Sequence, residues 1–256
     1  MLGEPARRPA TYVAPWELDD VGGVVVAVDV LRAFTTAAYA LAAGATSIWL
    51  AAGVEEAVAL GREIPGALVM GEEHGRRPPG FHLSNSPVAV AQADVAGRVL
   101  VQRTSAGTQG MIAATSADRL FAASLVCASA TAAAVTAAGL GAPTYVITGR
   151  LPGDPDGGED DLLTAQLIER ARLDHALESQ TTAEAVARSP EAARTLAAGE
   201  GDVDPDDIAY ATAVDRFDFA MEAERVDGRL RLVRSGPTPP TRVPSATSPT
   251  DAGPAC

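Results

Sequence analysis

The chain has 256 residues and a formal net charge of −13, a balance that sets nucleic acid and anionic membrane surfaces against it as partners. All 20 basic residues are arginine, so Schiff-base lysine chemistry and a Walker-type phosphate lysine are excluded. The two cysteines, Cys127 in an apolar stretch and Cys256 at the end, have neither zinc nor redox-pair spacing, and Cys127 reads as a small core residue.

In chain order, residues 1–22 carry Pro5, Pro9 and Pro15 and read as an arm or edge strand. Residues 24–28 are a β-branched run, the pattern of a strand buried on both faces of a parallel sheet, and Asp29 ends it. An alanine-rich helix follows over 31–43, with Gly44 as its stop. Strands are expected at 46–50 and 67–70, with a helix at 54–63 between them. A polar loop then runs from Glu72 to Asn85. Ser86-Pro87 should open a short helix, Ser86 as its cap and proline at its first position. Residues 98–102 form a strand that enters the loop 103–108, and a helix covers 109–115. A strand at 119–123, a helix at 128–139, a strand at 144–148 and a helix at 159–172 complete the alternation. Residues 181–222 read as mainly helical, and 230–233 as a late strand, antiparallel at an edge. From Ser235 onward Pro, Ser, Thr and Gly predict disorder.

The pattern predicts an α/β protein: a three-layer α/β/α domain over 23–234 with a largely parallel sheet, mixed where the late strand joins. No window is long and apolar enough to span a bilayer and no signal peptide is evident, so a cytoplasmic protein is expected. In such sheets ligands bind beyond the carboxyl ends of the strands. What collects there is Asp29 and Arg32, then Glu72, Glu73 and His74, then Asn85 and Ser86, then Thr104, Ser105, Gly107 and Thr108, and finally Arg150, Asp154, Asp156, Glu159, Asp160 and Asp161. Taken singly, each has an ordinary structural use. Asp29 suits a helix cap, the Thr104 loop suits turn chemistry, and Glu159-Asp160-Asp161 suits a helix dipole. His74 and His82 read as surface loop residues. Together, carboxylates without a His or Cys pattern suit a hard cation such as Mg²⁺, while arginine, hydroxyls and a glycine turn suit phosphate oxygens. The combination points to metal-assisted phosphoryl chemistry.

The order Val28-Asp29-Val30-Leu31-Arg32-Ala33, Gly71-Glu72, Gly80-Phe81-His82-Leu83-Ser84-Asn85-Ser86-Pro87, Thr104-Ser105-Ala106-Gly107-Thr108 and Glu159-Asp160 resembles the 2-phosphosulfolactate phosphatase family. The resemblance covers residues 24–234. It implies a Mg²⁺-dependent hydrolase that converts 2-phosphosulfolactate to 3-sulfolactate and phosphate, a step towards coenzyme M, and a homo-oligomer. Carried over by position, Asp29, Arg32 and Glu72 become candidate catalytic residues. Asp29, Glu72, Glu159 and Asp160 become candidate metal ligands. Asn85, Ser86, Thr104, Ser105, Gly107 and Thr108 become candidates for binding a small anionic phosphorylated substrate. The chain departs from the family pattern in three places: Ser84 replaces a glycine, Ala106 replaces an asparagine whose amide could contact substrate, and Thr148-Gly149-Arg150 and Leu162-Leu163-Thr164-Ala165 do not match the cysteine and glycine usual near the late acidic pair. The alternatives are a phosphatase for another phosphorylated hydroxy acid, a phosphoryl transferase, and an anion-binding protein that keeps the fold without turnover.

Overall fold

Val24–Val28 (β2) is buried at every residue, as its unbroken β-branched run requires of a strand covered on both sides. The computed structural model to which it belongs describes residues 9–154, 156–197 and 202–236. The expected tail lies, from residue 237 onward, outside the described residues, as does Cys256. The other elements, in chain order, are β1 (Thr11–Val13), α1 (Ala33–Ala42), β3 (Ser47–Leu50), α2 (Val54–Glu63), β4 (Leu68–Gly71), β5 (Leu83–Ser84), α3 (Pro87–Gln92), β6 (Val99–Arg103), α4 (Gly107–Ala113) and β7 (Arg119–Ala123). They continue with α5 (Ala128–Ala138), β8 (Thr144–Ile147), α6 (Glu159–Arg172), α7 (Ser179–Ala187), α8 (Pro190–Ala197), α9 (Asp207–Ala211), β9 (Ala220–Val226) and β10 (Arg229–Ser235).

The strands form one sheet in the order β1-β8-β2-β7-β9-β10-β3-β6-β4-β5. Its pairs are parallel except those that β9 and β10 make with each other and with their outer neighbours β7 and β3. Three successive antiparallel pairs reverse direction, so the block β1-β8-β2-β7 runs opposite to the block β3-β6-β4-β5. In a flat sheet the carboxyl ends of the two blocks would face opposite ways. Sheet twist reduces that conflict. At about 20–25° per step, the five steps from β2 to β6 accumulate roughly 100–125°. Contacts confirm the convergence: Gln102 at the end of β6 donates to the Ala33 carbonyl at the start of α1, 2.9 Å away.

The curl encloses α1. Phe34, Ala37, Ala38 and Leu41 pack with Val25 and Ala27 of β2 and with Ile48 and Leu100 of the other block in one core. The small alanine side chains let the helix sit this close to both blocks, a use for a composition rich in alanine and poor in aromatics. On the outer faces, α5 and α6 cover Val24, Val26 and Val28, while α2 covers Val69 and Val101. The α/β expectation therefore holds, with a mixed, mostly parallel sheet.

Two expectations for the C-terminal region are corrected. The late strand is not at an edge, because β10 lies between β9 and β3 in the middle of the sheet. Residues 220–222 are not helical but begin β9. The β9 sequence Ala-Met-Glu-Ala-Glu-Arg-Val is made largely of good helix formers, and tertiary pairing overrides that preference. The turn itself is Asp227-Gly228, both at positive φ (50° and 78°), the conformation that a two-residue hairpin favours. The N-terminal segment does supply an edge strand, β1, parallel to β8.

Candidate active site

Asp29 follows β2 directly and is almost wholly buried. One carboxylate oxygen, Oδ1, accepts the Ala33 amide at 2.8 Å, and Oδ2 faces the Thr148 hydroxyl at 3.3 Å. Burial pushes its pKa up to about 6, and the Glu72 charge adds to the rise, while the donors at Ala33, Thr148 and Gly107 pull it down. Gly107 opens α4 against this carboxylate. A Cβ there would lie 2.6 Å from Asp29 Oδ2 and 2.7 Å from the Ala33 Cβ. Glycine is thus the residue that lets the β6 loop meet the β2 end.

The late acidic run presents two inward carboxylates. Asp160 and Asp161 are buried, whereas Glu159 is exposed. Asp161 ties two strand ends together: its Oδ1 accepts the Val30 amide at 2.9 Å and its Oδ2 the Gly149 amide at 2.8 Å. Burial raises the pKa of Asp160 to about 8, with the charges of Glu191 and Asp29 next in importance. Asp161 is likewise raised by burial and then by Asp160 and Asp29. Three buried carboxylates therefore repel one another at the carboxyl ends of β2 and β8.

Glu72, after β4, fastens the neighbouring loop. It accepts the Ser105 amide in a short hydrogen bond, the Ser105 hydroxyl at 3.1 Å and the Gly75 amide at 2.6 Å. Thr104 and Thr108 cap each other, each hydroxyl accepting the other's backbone amide, at 3.0 and 2.9 Å. The side chains of this loop are therefore engaged within the protein. Asn85 is buried, and among the described residues its Oδ1 has no hydrogen-bond partner. His82 is structural, accepting the Val69 amide at its Nδ1, 3.0 Å away.

Arg32 is 5% exposed and makes an ion pair with Asp207, Nη1 to Oδ2 at 2.8 Å; the same nitrogen donates to the Asp202 carbonyl at 2.9 Å. The Ser86 hydroxyl donates to Asp207 Oδ1 at 2.6 Å and accepts the Ala89 amide at 3.1 Å, as the cap of α3. Sequence reading named Arg32 and Ser86 but missed Asp207, and it took Asp161 only as part of an acidic run. Their partners lie 175 and 131 residues away along the chain, so no local spacing marks them.

Comparison with known proteins bears on this arrangement. A family model described as 2-phosphosulpholactate phosphatase matches residues 12–225, a span holding every site residue above. The chain belongs to that family. A probable 2-phosphosulfolactate phosphatase of Bacillus subtilis is 32% identical over 81% of this chain and 90% of its own length. The same description applies to a protein of Thermoplasma acidophilum, 28% identical over 83% of this chain and 90% of its own. A third, from Carboxydothermus hydrogenoformans, is 44% identical over a shorter stretch, 42% of this chain and 44% of its own. In this member of the 2-phosphosulfolactate phosphatase family, Asp29, Asp161, Thr148 and Gly107 meet at one place, and the charges of Asp160 and Glu72 reach it. Arg32, Ser86 and Asp207 form an adjoining cluster, joined to the first through the short segment from Asp29 to Ala33. Glu159 stands apart from both. Among the described residues, no group of three His, Cys, Asp or Glu side chains makes a ready ligand set, so Asp29, Glu72, Glu159 and Asp160 are not brought together as one. Nor is any helix there long and apolar enough to cross a membrane.

Proposed function

We propose that the protein is a Mg²⁺-dependent phosphatase that hydrolyses 2-phosphosulfolactate to 3-sulfolactate and phosphate. The observation that carries the reading is Asp29. It is a buried carboxylate with a pKa near 6, set where the β2, β6 and β8 ends meet in a chain of this family. A carboxylate with that pKa is ionised at neutral pH, as holding a divalent cation or hydrogen-bonding the attacking water requires.

The donor set suits the metal. Mg²⁺ takes one or two carboxylates and keeps several waters. Asp29 and Asp160 are buried, repel each other and, among the described residues, have no arginine among the groups that shift them. These two residues would hold the ion, which when bound offsets charge on the phosphoryl oxygens and acidifies a coordinated water.

The chain's own residues supply the rest. Arg32 bonds through Nη1 alone, and among the described residues no partner holds its Nη2 or Nε. Those donors suit the charged non-bridging oxygens of the phosphoryl group, while new negative charge grows on the bridging ester oxygen as its bond to phosphorus breaks. Glu72 holds the Thr104 loop by its Ser105 amide, and the mutual caps of Thr104 and Thr108 keep the start of α4 rigid. The carboxylate cluster receives a proton of the attacking water and returns it to the ester oxygen, which leaves as the hydroxyl of 3-sulfolactate. Ala106 favours one further reading, a different phosphorylated hydroxy acid as substrate, because the amide of the family's asparagine is lost there.

Phosphate release from 2-phosphosulfolactate and from a panel of phosphorylated hydroxy acids, with Mg²⁺ or with chelator, tests the proposal. Turnover is expected with Mg²⁺ only, and Asp29→Asn should lower kcat by at least about 100-fold, the scale of losing a group that activates the attacking water. Full activity in chelator, or no turnover on any ester, overturns it.

A further inference from the structure

We infer that Asp207 is a positioning residue that holds Arg32 at the anion site, an inference that rests on the phosphatase reading for its activity arm alone. Asp207 is fully buried on the first turn of α9, a helix that contributes no group to the cluster around Asp29. Its carboxylate is saturated by donors from three separate parts of the chain. Arg32 Nη1 reaches Oδ2 at 2.8 Å, and the Asp204 amide reaches the same oxygen at 3.1 Å. The Ser86 hydroxyl and the Val88 amide reach Oδ1 at 2.6 and 3.3 Å. One carboxylate thus fixes the β2–α1 segment, the start of α3 and the 202–207 segment relative to one another.

The geometry at Arg32 gives this hub a function beyond packing. A buried guanidinium needs a counter-charge, yet a carboxylate that took it bidentately would occupy the fork that binds phosphate. Here Asp207 and the Asp202 carbonyl both take Nη1. The single-nitrogen grip sets the plane of the guanidinium, and among the described residues nothing takes its remaining donors, which a ligand can use. Asp207 uses its other oxygen for Ser86, which gives the Asn85-Ser86-Pro87 segment a place beside Arg32 although the Ser86 hydroxyl is not free to bind substrate. In this chain Ser86 serves the site by orienting Asp207, and Asp207 by orienting Arg32.

The test is a double-mutant cycle on the full chain with Arg32→Ala, Asp207→Asn and both together. It reads kcat and KM for 2-phosphosulfolactate, calorimetric binding of inorganic phosphate with Mg²⁺, and Tm. Asparagine can still accept from Ser86, but its NH₂ opposes the guanidinium. Asp207→Asn should lower kcat/KM by about 10–100-fold, the scale on which outer-shell partners act, mostly in kcat. In the Arg32→Ala background the same change should cost no more than about twofold, because residues acting as a unit are not additive. Losses that multiply, or a lower Tm with unchanged kinetics, would mean a purely structural hub and overturn the inference. If Asp207→Asn does not fold, Asp207→Glu enters the same cycle, since one added methylene displaces the guanidinium while keeping the charge. If wild-type protein hydrolyses no ester, the phosphatase reading fails separately and phosphate binding decides. Equal weakening by Arg32→Ala and Asp207→Asn supports positioning. Unchanged binding in the Asp207 variant, or none in wild type, sinks it.

Discussion

Gly107 has no room for a side chain, and its position makes that restriction functional. The nearest atoms to a Cβ would be the Asp29 carboxylate and the Ala33 methyl, neither of which is the far end of a flexible chain. Gly107→Ala should therefore push the β6 loop from the β2 end. The expected outcome is a stability loss of about 1–3 kcal/mol, typical of overpacking, with kcat lowered at least about tenfold as Asp29 shifts. Urea denaturation and steady-state kinetics on one preparation check both, and near-wild-type kcat would mean that Asp29 need not lie where the structure puts it. At this scale the sequence was informative about what stands at a strand end and silent about what reaches it from afar. Asp29, Glu72 and the Thr104 loop were legible because strand periodicity places them. Asp207 was not, because its ion pair spans 175 residues. In the run Glu159-Asp160-Asp161, successive helical residues turn by about 100°, so the phase of the helix decides which carboxylates face inward. That phase follows from Gly158 in the left-handed conformation at the helix start, φ 75°, which no residue pattern specified.

Among the elements, α3 shows how a short helix is made dependable. Six residues are too few for a helix to persist by its own hydrogen bonds. Ser86 caps it, Pro87 presets its first φ, and Asp207 anchors the cap from outside. Ser86→Ala removes the cap and also a donor to a buried carboxylate. A loss of about 2 kcal/mol is expected, a cap's contribution plus part of a charged hydrogen bond, and it should appear as a lower urea midpoint at unchanged m-value. A loss below about 0.5 kcal/mol would show that neither bond is made in solution. This helix could be read in advance because its signals are local. Of the β9–β10 hairpin only the second strand could be, at 230–233, since β9 carries Glu222, Glu224 and Arg225 among modest apolar residues. The hairpin's neighbours lend the burial that its own sequence does not announce: Leu230 and Leu232 pair with Leu50 and Ile48 of β3. The consequence is larger than one misplaced strand. Inserted in mid-sheet, the hairpin reverses one parallel block against the other, so the topology rests on the least legible segment of the described chain.

The whole molecule gathers carboxylates both on its surface and inside, and the buried ones couple its stability to pH. An aspartate carboxyl ordinarily titrates near 3.8, whereas folding moves Asp29 to about 6 and Asp160 to about 8. The folded state therefore binds these protons more tightly than the unfolded chain. Their contribution favours folding fully below about pH 4 and is lost as pH rises through 6 and then 8. Without divalent cation, Tm should fall between pH 5 and pH 8. The net charge of −13 adds self-repulsion of the same sign, but that part is screened by salt and the buried part is not. The two are separable by scanning calorimetry in chelator at about 0.5 M salt, where the residual slope belongs to the cluster. Asp160→Asn removes one member of the cluster and should flatten that slope, raising Tm at pH 8 while changing it little at pH 5. Mg²⁺ held between Asp29 and Asp160 should do the same to the wild-type protein by offsetting their charge, and it should have no such effect on the Asp160→Asn variant. A Tm that rises from pH 5 to pH 8 in chelator and high salt would show that these carboxylates are paired or solvated. Mg²⁺ stabilisation surviving intact in Asp160→Asn would move the metal elsewhere in the fold.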